Sequence, residues 1–204
     1  MVFPIYTYGT RVLKQKAEPV SKVDEGVVKV VMDMFDTMHA AGGIGLAANQ
    51  VGKLRLVITV DISDIEETKE PKTEEEKIRF KSHPPIALIN PEIIYSEGTW
   101  TMEEGCLSIP EVRDMVERAE KIRVRYKDTN FRTVELEADG LFARVILHEI
   151  DHLNGILFLD HVPAQGRKVH KEQLKKIQRG EIETAYPMIT AASENVRLES
   201  TKGA

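Results

Sequence analysis

The stretch Leu141 to Asn154 constrains this chain more than any other. Its first half is almost wholly apolar, and its second half carries His148-Glu149-Ile150-Asp151-His152. The spacing predicts a helix with Asp139 as N-cap and Gly155 closing the other end. Two histidines four positions apart lie one turn from each other on one helical face, close enough to grasp one metal ion. Glu149 points about 100° around the axis from His148, where it reaches a water on that ion without ligating it. A hydrolytic metal site needs neutral imidazole ligands and an unligated carboxylate as proton carrier. The alternative for the motif alone is an exposed helix bearing His and Glu.

Two histidines leave a tetrahedral site one protein ligand short. Downstream, Asp160, His161, His170 and Glu172 stand in no recognisable ligand pattern. Upstream, Glu104-Gly105-Cys106-Leu107-Ser108 holds the single cysteine of the chain. A lone cysteine is most often a small buried hydrophobe. Here the glycine before it permits close backbone approach, and the site wants one soft anionic ligand. A lone thiol forms no internal disulfide, which reads as a reducing compartment. A third segment, Gly42-Gly43-Ile44-Gly45-Leu46-Ala47-Ala48-Asn49-Gln50, lacks the Lys-Ser/Thr ending of a phosphate loop. Small residues suit a backbone running alongside a ligand, and Gln50 offers the neutral amide donor that stabilises an oxyanion. A helix-to-strand turn with Leu46 and Ala47 packed inside is the plainer alternative.

Elsewhere the pattern is that of a soluble globular chain. Of 204 residues, 42% are hydrophobic and 30% charged, enough for one domain with its own core. No apolar run reaches the ~18 residues of a membrane span, and the start lacks the marks of a secretory leader. A net charge of -5 argues against a surface that grips nucleic acid. Val27, Val30, Val31, Met34 and Met38 mark an amphipathic helix from Asp24, its N-cap, to about Ala40. Strand composition follows at Leu54–Ile62, Ile86–Asn90, Pro91–Tyr95, Lys121–Tyr126 and Thr133–Glu137. From 62 to 84 acidic and basic residues crowd together, and this reads as a charged, insertion-like, solvated loop. Arg167 to Arg179 reads as a third helix, with six basic residues against Glu172 alone. The fold class expected is α+β, mostly antiparallel sheets around a central helix carrying the histidine motif, with N-terminal and C-terminal helices. Residues 1–190 form the single catalytic domain and 191–204 a flexible tail.

Gly43-x-Gly45-x-Ala47-Ala48-x-Gln50, then Glu104-Gly105-Cys106-Leu107-Ser108, then His148-Glu149-x-Asp151-His152 resemble the three motifs of the peptide deformylase family, in order. The resemblance spans residues 4–180, with Tyr8-Gly9, Pro19-Val20 and Glu137-Ala138-Asp139-Gly140-Leu141 included. It implies removal of the N-formyl group from the initiator methionine of newly made bacterial proteins, in the cytoplasm. The alternative enzyme is a zinc endopeptidase built on the same helix, with a downstream third ligand. The resemblance further implies one Fe(II), replaceable by zinc or nickel, held by Cys106, His148 and His152. Glu149 would carry the proton, with Gln50 and the Leu107 backbone N–H on the oxyanion. Ile44, Met102, Leu141 and Val145 would line the methionine slot, and Gly43–Gly45 and Glu103–Gly105 would pair with the peptide backbone. Arg144 departs from the apolar residue often found in this slot, so its stem would line the pocket with its head in water, or the pocket would differ. The basic third helix resembles the one by which some members dock on the ribosome. A solvated helix with Leu174 and Ile177 packed inward is the alternative.

Overall fold

The computed structural model describes residues 1–63, 65 and 73–195. In chain order the elements begin with β1 (Ile5–Tyr6), α1 (Glu25–Ala40), β2 (Gly45–Ala47), β3 (Val57–Val60), α2 (Glu74–Arg79) and β4 (Ile86–Glu97). A hairpin follows, β5 (Trp100–Cys106) and β6 (Ile109–Arg118), then β7 (Lys121–Lys127) and β8 (Thr133–Asp139). Helices α3 (Gly140–Leu153), α4 (Phe158–His161), α5 (Ala164–Val169) and α6 (Lys171–Arg179) come next, with β9 (Met188–Ile189) last. Among the described residues no helix is long and apolar enough to cross a membrane.

The main sheet is antiparallel, in the order β2-β3-β4-β7-β8. Because successive side chains in a strand point to opposite faces, neighbours in sequence serve different cores. Leu46, Val57 and Ile89 pack with Met34 and Met38 of α1 on one face. Ala47, Ile58 and Leu88 pack with Phe142 and Ile146 of α3 on the other. A third cluster joins the β5–β6 hairpin, through Ile109, Val112 and Val116, to Phe158 and Ile177 of the C-terminal helices. The architecture is thus mixed α/β with antiparallel sheets. The two chain ends add a parallel pair, β1 on β9.

Several local expectations change. The strand at Leu54–Ile62 contracts to Val57–Val60, and the two at Ile86–Asn90 and Pro91–Tyr95 fuse into β4. The fusion passes Pro91 by a register shift between Ile89 and Glu92, with Asn90 at φ 52°. Asp24 caps α1, its carboxylate accepting from Val27 N at 3.1 Å. Asp139 stands at the N-cap of α3 but makes no side-chain cap bond. The basic helix is two helices broken at His170, whose ring bonds Asp114 of β6 at 2.9 Å. Ile177 is buried and Leu174 packs partly against the same cluster.

In the charged segment, residues 64 and 66–72 lie outside the described residues, as do 196–204 of the tail. The rest of the segment is not simply solvated. Helix α2, capped by Thr73, brings the Arg79 backbone so close to Gly140 that a Cβ there would collide with its carbonyl. Gly140 also sits at φ 52°, a conformation that favours glycine. The His83 ring stacks on Phe142 with centroids 4.1 Å apart. After Pro187 the chain does not fray at once: β9 pairs with β1, and Ser193 closes a turn on Thr190.

Candidate metal centre

Helix α3 delivers His148, Glu149 and His152, and the end of β5 delivers Cys106. Nearly every residue of α3 is buried, so these polar groups face the protein interior rather than solvent. The donor atoms of Cys106, His148 and His152 all lie within 4.8 Å of one another. Cys106 Sγ is 3.1 Å from His152 Nε2. The two imidazoles meet edge to face, with centroids 5.0 Å apart.

A single buried carboxylate holds this arrangement in place. Glu104, two residues before Cys106 on β5, contacts Nδ1 of His148 at 3.0 Å. That contact turns Nε2 of His148 toward the thiol side, the tautomer control expected of a ligating histidine. Arg118 of β6 forks onto Glu104, donating from Nε to Oε1 at 2.6 Å and from Nη2 to Oε2 at 3.0 Å. It also donates to Asp151 at 2.7 Å, and Asp151 meets His161 at 2.7 Å. Burial pulls the Glu104 pKa upward, but His148 and Arg118 outweigh it and hold the carboxyl well below the usual carboxylate range.

Arg144 lines the cleft, as one expectation for it has it, but not with its head in solvent. Its head does not reach water: it donates to Glu104 Oε1 at 2.5 Å, to the Val116 carbonyl at 3.1 Å and to the Trp100 carbonyl. The guanidinium also lies over the Trp100 ring, 4.8 Å from its centroid. The charge is therefore spent on the carboxylate that steadies His148.

Glu149 is buried, and its Oε2 has no hydrogen-bond partner among the described residues. Burial pushes its pKa up to about 7, despite the nearby cationic groups. Such a carboxyl gains and loses a proton easily near neutrality, as a general base must. Burial likewise holds the His152 imidazole well below its usual value, which keeps it neutral and fit to ligate. His148 moves the other way: burial opposes the charged form, but hydrogen bonds to Cys106 and Glu104 raise it. One soft sulfur, two imidazoles and an orphaned buried carboxylate oxygen make a donor set that fits a divalent ion with one position left for water.

The glycine-rich segment explains itself by contact. A Cβ at Gly45 would sit 2.5 Å from Glu149 Oε1 and 2.6 Å from Val145 Cγ1, and one at Gly43 would sit 2.7 Å from Leu107 Cδ1. Only bare backbone fits between α3 and the Cys106 loop. Gln50 is oriented by its own oxygen, which accepts from Ala47 N at 2.8 Å. Its Nε2 consequently turns to Ser108 Oγ at 3.2 Å and toward Cys106 Sγ at 3.6 Å.

These groups open onto a cleft of about 570 Å³. Gly43, Ile44, Gly45, Gln50, Met102, Glu103, Gly105, Cys106, Leu107, Leu141, Val145, His148 and Glu149 all line it, while His152 lies buried behind. The downstream alternatives for a third ligand are occupied elsewhere: Asp160 with Lys14, His161 with Asp151, His170 with Asp114 and Glu172 with Lys175. Reading the sequence missed the roles of Glu104, Arg118 and Arg144. Alternation along Val112, Asp114, Val116 and Arg118 was the available signal, since it turns Arg118 inward on β6.

The polypeptide deformylase family model matches residues 2–168. The peptide deformylase of Salinibacter ruber is 42% identical over 201 residues, 96% of this chain and 98% of that protein. The crystal structure of peptide deformylase from Ehrlichia chaffeensis superposes with a TM-score of 0.78 at 36% identity, covering 89% of this chain and 99% of that one. A Met-Ala-Ser-bound class I type b peptide deformylase from Acinetobacter baumannii superposes with a TM-score of 0.70 at 34% identity, covering 79% and 99%.

Proposed function

Because the chain belongs to the polypeptide deformylase family, a metallohydrolase that removes the N-formyl group from nascent N-formylmethionyl peptides, we propose that Cys106, His148 and His152 hold its metal ion. The observation that carries the assignment is the convergence of one thiol and two imidazoles on a single point, with an unpartnered carboxylate beside it. When bound, a divalent ion supplies a Lewis acid and an acidified water. Iron(II) is the ion proposed, with zinc and nickel as substitutes, since thiolate and imidazole donors suit all three.

Around that ion each side chain has one task. Glu149 takes a proton from the attacking water at Oε2 and later returns it to the departing α-amine. The C–O bond forms, the C–N bond breaks, and formate and a free N-terminus leave. Gln50 Nε2 and the Leu107 backbone N–H donate to the developing oxyanion. Ile44, Met102, Leu141 and Val145 receive the methionine side chain. The peptide backbone pairs with Gly43–Gly45, which leads into β2, and with Glu103–Gly105 on β5; among the described residues each strand has one edge without a neighbouring strand. A bound Met-Ala-Ser in the Acinetobacter baumannii relative supports a peptide occupant of this length.

The free thiol belongs in a reducing compartment, and the substrate is made on ribosomes, so the reaction is assigned to the bacterial cytoplasm. Arg167, Lys168, Lys171, Lys176 and Arg179 form an exposed basic face on α5 and α6, suited to docking on the ribosome. Salt-sensitive co-sedimentation with ribosomes, lost on replacing Lys171, Lys175 and Lys176, is the expected behaviour; salt-insensitive or absent binding removes this partner.

Formate release from formyl-Met-Ala-Ser, measured with Fe(II), Zn(II) and Ni(II), tests the assignment together with metal content. The wild-type chain should turn over, and Cys106→Ala should lose the ion. Full metal retention in Cys106→Ala would return the site to an endopeptidase-like ligand set.

A further inference from the structure

Resting on the deformylase reading above, we infer that Tyr186 is a positioning residue for the oxyanion loop and that residues 183–186 form a wall of the cleft facing the peptide beyond methionine. The path begins where α6 ends. Gly180, at φ 75°, terminates that helix, and the chain turns back toward the cleft before β9 fastens it to β1. Between those two anchors Glu183, Thr184, Ala185 and Tyr186 line the same cavity as Cys106, Leu107 and Glu149. Thr184 Oγ1 donates to the Tyr186 carbonyl at 2.6 Å, which fixes the strap's own turn.

The Tyr186 hydroxyl donates to the Leu107 carbonyl at 2.8 Å. Burial and the neighbouring thiol push its pKa up to about 12, so it remains a donor throughout the working range. The loop is held on its other side by Tyr8 N, which donates to the Ser108 carbonyl at 2.8 Å, and by Gln50 on Ser108 Oγ. Leu107 itself is confined by Gly43, where no Cβ fits. With its carbonyl, its side chain and its following residue all fixed, the Leu107 N–H is left with one direction. An oxyanion donor works only when its aim is set before the charge develops. Tyr186 supplies the one of these restraints that reaches the loop from the C-terminal strap.

The two roles separate in kinetics. Tyr186→Phe keeps the ring and the wall but drops the donor, so kcat should fall about five- to tenfold with KM within twofold of wild type. Tyr186→Ala should also raise KM for formyl-Met-Ala-Ser while leaving KM for formyl-Met alone unchanged. Thermal unfolding of both variants checks that β9 stays docked, and the Phe variant stands if the Ala variant does not fold. Wild-type kcat in Tyr186→Phe, or a KM rise equal for both substrates in Tyr186→Ala, overturns the inference while the deformylase reading survives. No formate from the wild-type chain with any of the three metals overturns that reading, and this inference falls with it.

Discussion

The Glu104 carboxylate meets Nδ1 of His148 at 3.0 Å, and it does so while sharing its charge with both Arg118 and Arg144. The proposed ligand and its support thus come from different elements, α3 and β5, so the hairpin orients the ring of a histidine it does not carry. Removing such a partner typically costs 10–100-fold in metal affinity. Glu104→Gln should lower affinity by about that factor, read by competition with a chelator. Unchanged affinity would mean that α3 alone sets the ring.

Gly45 faces Glu149 with no room for a methyl group. Gly45→Ala should displace the carboxylate and cut kcat by about 10², the lower range for loss of a general base. Metal content should be unaffected, since the displaced group is not a ligand. Activity near wild type would show that Glu149 has another path to the water.

Gln50 makes two kinds of contact, one through each end of its amide. An oxyanion donor is worth about 3–4 kcal/mol, so Gln50→Ala should slow turnover by roughly 10²–10³. Gln50→Glu preserves an acceptor for Ala47 N but sets a negative charge against the oxyanion, and should be at least as slow. Near-wild-type turnover in the alanine variant removes the donor role.

Asp61 offers a pH test away from the metal centre. Burial raises its pKa, but hydrogen bonds from Ser63 and contact with His39 prevail and hold it below the ordinary carboxylate value. A depressed folded value means the stabilisation is present above the unfolded pKa of about 3.9 and fades as pH falls through the folded one. In urea titrations, the stability gap between wild type and Asp61→Asn should therefore close as pH falls through the Asp61 titration range. A gap independent of pH would assign it to packing.

What could be read from the chain beforehand was the chemistry carried by close neighbours in sequence. The α3 motif, the Asp24 cap and the stripe of α1 follow from spacing of three and four, and the structure has them at those residues. The β5–β6 hairpin that carries Cys106 was harder to see because Pro110 and a register shift at Gly105–Cys106 interrupt its alternation. The place of Arg144 on the cleft follows from its spacing to His148, whereas its partners Glu104 and Trp100 are 40 and 44 residues away and no local pattern points to them. Tyr186 lies further still, 79 residues from the carbonyl it holds. Contacts of that range depend on how sheets and helices stack, which local pattern does not encode.

The parallel seam between Ile5–Tyr6 and Met188–Ile189 has a bearing on folding. Pairing across so long a span is a late event, since the loop must close before the contact rewards it. The side of the cleft formed by residues 183–186, which run between α6 and this seam, is therefore set only once β9 has docked on β1.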